Sequence, residues 1–210
     1  MIIGISGLIG AGKDTIADYL VNFHGFRRES WAGTLKDAVA SVFGWPRDLL
    51  EGRTAQARIW REQVDPWWAQ RLDIPDLTPR WVLQYWGTDV CRVGFHADIW
   101  TASLENRLRQ TQDNVVISDC RFSNELDTIK RLGGITVRVV RGPDPEWVDL
   151  YRRDSESFKT QYPDVHASEY SSVCLDYDHV LRNDGSVAEL YDGIKDLLEG
   201  RLVARSSVYA

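Results

Sequence analysis

The stretch Gly7-Leu8-Ile9-Gly10-Ala11-Gly12-Lys13-Asp14-Thr15 decides the fold. It follows a short apolar run, Met1 to Ser6 (MIIGIS), and leads into a segment where Ile16, Leu20 and Phe23 recur at helical spacing. The order is strand, glycine loop, helix. In that setting G-x-x-x-x-G-K reads as a phosphate-binding loop rather than a glycine-rich turn capping an ordinary helix. Glycines let backbone N–H groups turn inward around phosphate oxygens, and the helix adds the positive end of its dipole. Gly7, Gly10, Ala11, Gly12, Lys13 and Thr15 are therefore the expected phosphate contacts, with Lys13 reaching the β- and γ-phosphates.

Working outward, the same rim recurs. Asn114 to Ser118 (NVVIS) reads as a buried strand and ends in Asp119; Ile135 to Val140 reads as a third strand and Asp178 to Arg182 as a last one. Leu126, Ile129 and Leu132 mark a helix stopped by Gly133 and Gly134. Strands alternating with helices imply an α/β fold with a parallel sheet, whose ligands sit beyond the C-terminal ends of the strands. Gly7 and Asp119 both lie at such ends. Between the first two of these strands, helices are expected near Thr34 to Phe43, Arg47 to Val64, Thr78 to Trp86 and Ala97 to Arg109, with a loop over Asp65 to Asp76 and Gly87 as a helix stop. Ser186 and Glu189 form a capping box for a C-terminal helix, and the tail from Arg201 is expected to fray.

The rest of the composition narrows the class. A chain of 210 residues with 43% hydrophobic residues makes one ordinary globular domain. A net charge of −6 argues against a duplex-binding protein. Three cysteines without metal-type spacing read as reduced thiols. With no basic leader and no apolar stretch near membrane length, a cytoplasmic protein with no nucleic-acid or membrane partner is expected. Nine tryptophans serve either as core or as aromatic walls for a flat ligand; Trp60, Trp67, Trp68, Trp81 and Trp86 lie close together in sequence.

Four segments resemble the bacteriophage-type deoxynucleoside monophosphate kinases. They are GLIGAGKDT at 7–15, LQYWGTDVCR at 83–92, VISDCRFSNE at 116–125 with Gly133-Gly134 after it, and HASE at 166–169. The resemblance implies a three-layer α/β/α fold of the P-loop type, with a mainly parallel sheet and a helical lid. It implies ATP-dependent conversion of deoxynucleoside monophosphates to diphosphates, with Mg2+. The acceptor is expected in a helical region at about 34–112 and the lid at about 142–170. A homodimer is one option for its assembly. One position departs from the common loop: Asp14 stands where Ser or Thr usually follows the lysine, and Thr15 comes next. Thr15 then contacts phosphate or magnesium. Asp14 holds a magnesium water, sits near the acceptor, or serves only as a first-turn carboxylate.

Transfer between two nucleotides needs cations, because the acceptor phosphate is already ionised and no general base is required. Arg92 resembles an acceptor-phosphate clamp, and Trp86 lies in the same segment. Asp119 can orient magnesium through water, and Arg121 points to the same rim. Glu125 and Glu169 are expected at the substrate by resemblance, and Asn124 as a helix cap. Arg152 and Arg153 are expected to close on the transferring group, or else line a solvated helix face; Arg141 is placed to stack on adenine. The alternatives are another small-metabolite kinase of the dephospho-coenzyme A type, or a P-loop nucleotide-binding protein that is not a kinase.

Overall fold

A computed structural model of the chain describes residues 1–165 and 167–200. His166 and the tail from Arg201 lie outside them. The chain divides into two compact units, Met1–Ser30 with the chain from Leu108 onward, and Trp31–Arg107.

The first unit is built on a five-stranded sheet, all parallel: β1 (Ile2–Ser6), β2 (Arg27–Glu29), β3 (Val115–Ile117), β4 (Ile135–Val140) and β5 (His179–Arg182), in the order β2-β3-β1-β4-β5. Alternation along β1 sorts its two faces. Ile3 and Ile5 are buried against α1 (Lys13–His24), through Ile16 and Leu20, and α12 (Val187–Leu198), through Leu190 and Ile194. Gly4 points the other way. A Cβ there would lie 2.2 Å from Ile129 Cδ1 on α8 (Ser123–Arg131), so the missing side chain lets that helix reach the sheet. Helices therefore cover both faces of a parallel sheet, the three-layer α/β/α fold. Gly4→Ala is expected to cost about 1–3 kcal/mol of stability in chemical denaturation, through overpacking. Ile129→Val removes the clashing methyl, so the double variant should lose less than the sum of the singles.

β2 was not expected. Arg-Arg-Glu carries no apolar pattern, and it forms because β3 supplies a parallel edge: Arg27 N–H donates to Asn114 O at 2.8 Å. Beyond β4 the chain forms α9 (Glu146–Arg153), α10 (Ser155–Gln161) and the single turn α11 (Ala167–Tyr170). The apolar stripe of this segment looks broken in sequence, yet Val148 and Phe158 are fully buried, and Tyr151, Tyr162 and Tyr170 ring Phe158. The segment has a small core of its own.

The second unit, inserted in the chain between β2 and β3, is helical: α2 (Gly33–Phe43), α3 (Arg47–Glu51), α4 (Ala55–Glu62), α5 (Pro66–Leu72), α6 (Pro79–Gln84), a π-helix (Tyr85–Val93) and α7 (Ile99–Leu108), which ends at the boundary. Leu35, Val39, Phe43, Trp45, Leu50, Leu77, Val82 and Trp100 form its core. The expected helix over Arg47 to Val64 is two helices, because Gly52 takes φ +66° and ends the first. The expected loop at Asp65 to Asp76 holds α5, because Asp65 accepts the N–H groups of Trp67 and Trp68 and Pro66 occupies the first turn. Gly87 does not stop its helix. It continues as a π-helix, and Trp100 Nε1 donates to the Gly87 carbonyl at 2.9 Å. Trp31, Trp45 and Trp100 are buried, and Trp60, Trp68 and Trp86 pack half-buried against the second unit's core; Trp45 Nε1 donates to Asp65 and Trp68 Nε1 to the Phe43 carbonyl, while Trp67 stays exposed and Trp81 stacks on exposed Tyr85.

Candidate active site

Because β1 is the central strand, the loop at its C-terminal end occupies the middle of the sheet's rim. Gly7, Gly10 and Gly12 take φ of +143°, +81° and +105°, values that L side chains rarely adopt. At two of them contact is also close. A Cβ on Gly7 would lie 2.3 Å from the Val139 carbonyl oxygen, and one on Gly12 would lie 2.4 Å from Asn183 Nδ2. Asn183 ties the rim together, its side chain donating to the Ala11 carbonyl at 2.9 Å and its N–H to the Val140 carbonyl at 2.8 Å. Asn183 follows directly after β5, which ends on the same rim, a placement that sequence alone could have signalled.

Lys13 opens α1 and folds back over the loop. Its Nζ donates to the carbonyls of Gly7 at 2.8 Å and Leu8 at 2.9 Å. Burial, and then the neighbouring Arg121 guanidinium, hold its pKa below the ordinary lysine range, with Asp14 pulling the other way. Thr15 is half-buried in the same turn.

On the β3 side of the loop lies a charged cluster. Asp14 is exposed, and its carboxylate accepts from Ser118 Oγ at 3.4 Å. Arg28, on β2, donates to the Asp14 carbonyl at 3.1 Å, and its guanidinium stands 3.5 Å from the Asp14 carboxylate and 3.4 Å from that of Asp18. Arg28 is a residue the sequence did not single out, since β2 itself was illegible. Asp119 is half-buried and follows β3 closely; Arg121 is exposed. Glu125 is buried, and one of its carboxylate oxygens accepts the N–H groups of Arg121 at 2.7 Å and Phe122 at 3.1 Å. It fixes the turn that carries Arg121 by capping its own helix. Asn124, expected as the cap, gives its carbonyl to Thr128 Oγ1.

On the β4 side lies a cavity of about 330 Å3. The loop residues Leu8 to Ala11 form one wall; Arg138, Arg141, Asp144, Trp147 and Glu169 are among the others. Asp184 accepts the Gly142 N–H at 2.6 Å and is held below the usual carboxylate range, first by that bond, with Arg182 and Arg141 adding to it. Arg152 meets Asp144 at 3.3 Å, while exposed Arg153 bonds back to the Asp149 carbonyl. Trp86 and Arg92 belong to the second unit, both in its π-helix; Trp86 is half-buried against Phe43 at 5.5 Å between ring centroids.

Phosphate and magnesium can be tested against these residues. Three glycines with positive φ, one of them walled by Asn183, leave a cradle that a Cβ would disturb, and an ammonium already lies across it. Among the described residues no group of three or more His, Cys, Asp or Glu side chains converges as a metal cage. No helix among the described residues is long and apolar enough to cross a membrane.

Residues 70–194 match the family model described as deoxynucleotide monophosphate kinase. That span holds three of the four segments that carry the resemblance, and the phosphate loop lies ahead of it. A protein of Acanthamoeba polyphaga mimivirus assigned as a deoxynucleotide monophosphate kinase is 31% identical, with 92% of this chain and 94% of that one covered. The deoxynucleotide monophosphate kinase of Enterobacteria phage T4 is 22% identical, covering 94% and 98%. Among solved structures, dephospho-CoA kinase from Campylobacter jejuni aligns over 95% of this chain and 96% of its own, at 12% identity and a TM-score of 0.47. The family model spans more than half of the chain and the mimivirus relative nearly all of it, so the chain belongs to the deoxynucleotide monophosphate kinase family of phosphotransferases.

Proposed function

We propose that the chain transfers the γ-phosphoryl group of ATP to the phosphate of a deoxynucleoside monophosphate, with ATP on the β4 side of the loop and the acceptor on the β3 side. The observation that carries this reading is the division of the rim: one phosphate loop, a cavity of about 330 Å3 on one side, and a charged cluster on the other. Such a volume suits part of a nucleotide. The second unit enters the chain between β2 and β3, the two strands on the acceptor side.

The chain's own groups then act by position and charge. Lys13 exchanges the Gly7 and Leu8 carbonyls for phosphate oxygens of the donor. The N–H groups of residues 7–12 hold the β-phosphate, and Asn183 keeps that loop closed. Arg121, set by Glu125, faces charge that develops during transfer. Arg141 stacks on adenine, and Glu169, expected at the substrate, is assigned instead to the donor because it lines the cavity on the β4 side. Arg92 grips the acceptor phosphate, and Trp86, in the same helix, borders the acceptor. Arg152 or Arg153 closes over the transferring group as the lid segment, about 142–170, moves, so that water is kept from the γ-phosphate. Thr15 and Asp119 would hold Mg2+, with Asp14 as a further outer ligand or acceptor contact, and the ion would supply charge neutralisation at the donor phosphates. The reaction is proposed for the cytoplasm, that of the host where the gene is a phage's; the free thiols of Cys91, Cys120 and Cys174 and the need for ATP support this reading.

The experiment follows the phosphoryl group. With γ-labelled ATP, the label should appear in a deoxynucleoside diphosphate, and label found only as inorganic phosphate would overturn the reading. Arg92→Ala should raise the acceptor KM by about 10-fold or more while moving the ATP KM little, as expected for a lost charge-assisted contact. Equal effects on the two substrates would remove Arg92 from the acceptor site.

A further inference from the structure

The buried guanidinium of Arg138 has no task in the transfer described above. It is 6% exposed, on a strand of the sheet, in register with Ser6, the residue before the phosphate loop. A cation this buried needs a partner. Arg138 Nη2 meets Asp144 Oδ1 at 3.2 Å. The second oxygen of the same carboxylate meets Arg152 Nη2 at 3.3 Å. Arg152 also stands 3.6 Å from Asp149 one turn earlier in its helix. One carboxylate thus joins a guanidinium fixed in the sheet to one carried by α9.

The chain presents that carboxylate rigidly. Asp144 stands between Pro143 and Pro145; the first fixes its own φ, and the second restricts the backbone of Asp144 itself. Gly142, just before, takes φ +67° and is pinned by Asp184. Arg138 and Asp144 both line the cavity beside Gly10.

We propose that Asp144 is a positioning residue for phosphoryl transfer: from the wall of the donor cavity it borrows the rigidity of Arg138 in the sheet to hold α9, and thereby Arg152, next to that cavity. This rests on the kinase reading above. Arg138 anchors, Asp144 bridges, and Arg152 reaches the transferring group. The carboxylate also offsets repulsion between the two cations, so α9 can stay near the sheet before nucleotide arrives.

The test is a double-variant cycle with a second readout that needs no activity. Asp144→Ala and Arg152→Ala are each expected to lower kcat by about 10- to 100-fold with little change in the ATP KM, the range for a lost preorganised contact. If Asp144 acts through Arg152, the double variant should be no slower than Arg152→Ala within about 2-fold. Asp144→Asn keeps the side-chain size and serves where Asp144→Ala does not fold. In Asp144→Asn without nucleotide, amide exchange should quicken over residues 146–153 while residues 135–140 stay protected. Multiplying kinetic effects would overturn the proposal, and so would unchanged exchange over 146–153. Failure of the kinase reading is seen separately, as a wild-type protein that forms no deoxynucleoside diphosphate.

Discussion

Lys13→Ala should lower turnover by about 10²-fold or more, the scale of losing one preorganised electrostatic contact. The side chain lies over the loop, not in the sheet core, and its two hydrogen bonds go to the loop carbonyls of Gly7 and Leu8. The fold should therefore survive, and circular dichroism and thermal unfolding should stay close to wild type. Near-normal turnover would remove the loop from the chemistry. The charge on Lys13 also sets a pH dependence. Burial and Arg121 lower its pKa in the ligand-free protein, whereas phosphate oxygens favour the ammonium. ATP affinity should then fall as pH rises through the depressed value, with proton uptake on binding in that range. Stability moves the other way: the unfolded chain binds this proton more readily, so the cost of burying the ammonium is present at neutral pH and is relieved as pH rises from the depressed value towards the ordinary lysine value of 10.5. Calorimetry in buffers of different ionisation enthalpy measures the uptake.

Gly12→Ala should be nearly as damaging, for a different reason. Its φ of +105° strains any L side chain, and the new Cβ would meet Asn183 Nδ2 at 2.4 Å. Asn183 cannot give way without releasing the Ala11 carbonyl. Strain of about 1–3 kcal/mol together with a lost hydrogen bond of about 1 kcal/mol points to a loss of roughly 10²-fold in ATP affinity. Adding Asn183→Ala removes the clash but leaves the strained φ, so recovery should be partial. Wild-type affinity in Gly12→Ala would mean that the cradle does not hold the donor.

The loop could be read from sequence because its determinants are local: three glycines, a lysine, an apolar run before and a helical period after. The same locality gave β1, β3, β4, β5 and the Ser186 capping box, in which Ser186 accepts from Glu189 N–H at 3.3 Å and Glu189 in turn accepts from Ser186 N–H at 2.7 Å. What escaped was set by contacts distant in sequence. β2 is three polar residues that become a strand only beside β3. The π-helix ran through Gly87, which in isolation signals a stop. α5 began at a proline read as a loop marker although Asp65 stood ready as its cap. At the site, Arg28 meets Asp14, Asn183 meets Ala11, and Asp144 joins Arg138 to Arg152; none of these pairings follows from spacing. Glu125 shows the converse, a motif residue whose carboxylate is engaged in capping its own helix.

The central claim is that a monophosphate acceptor receives the phosphoryl group. Coupled measurement of ADP release across a panel of deoxynucleoside and ribonucleoside monophosphates, with dephospho-coenzyme A as a control acceptor, tests it most directly. ADP release should be slow with ATP alone and rise strongly with one or more deoxynucleoside monophosphates. ADP release that no monophosphate accelerates, or that only dephospho-coenzyme A accelerates, would contradict it.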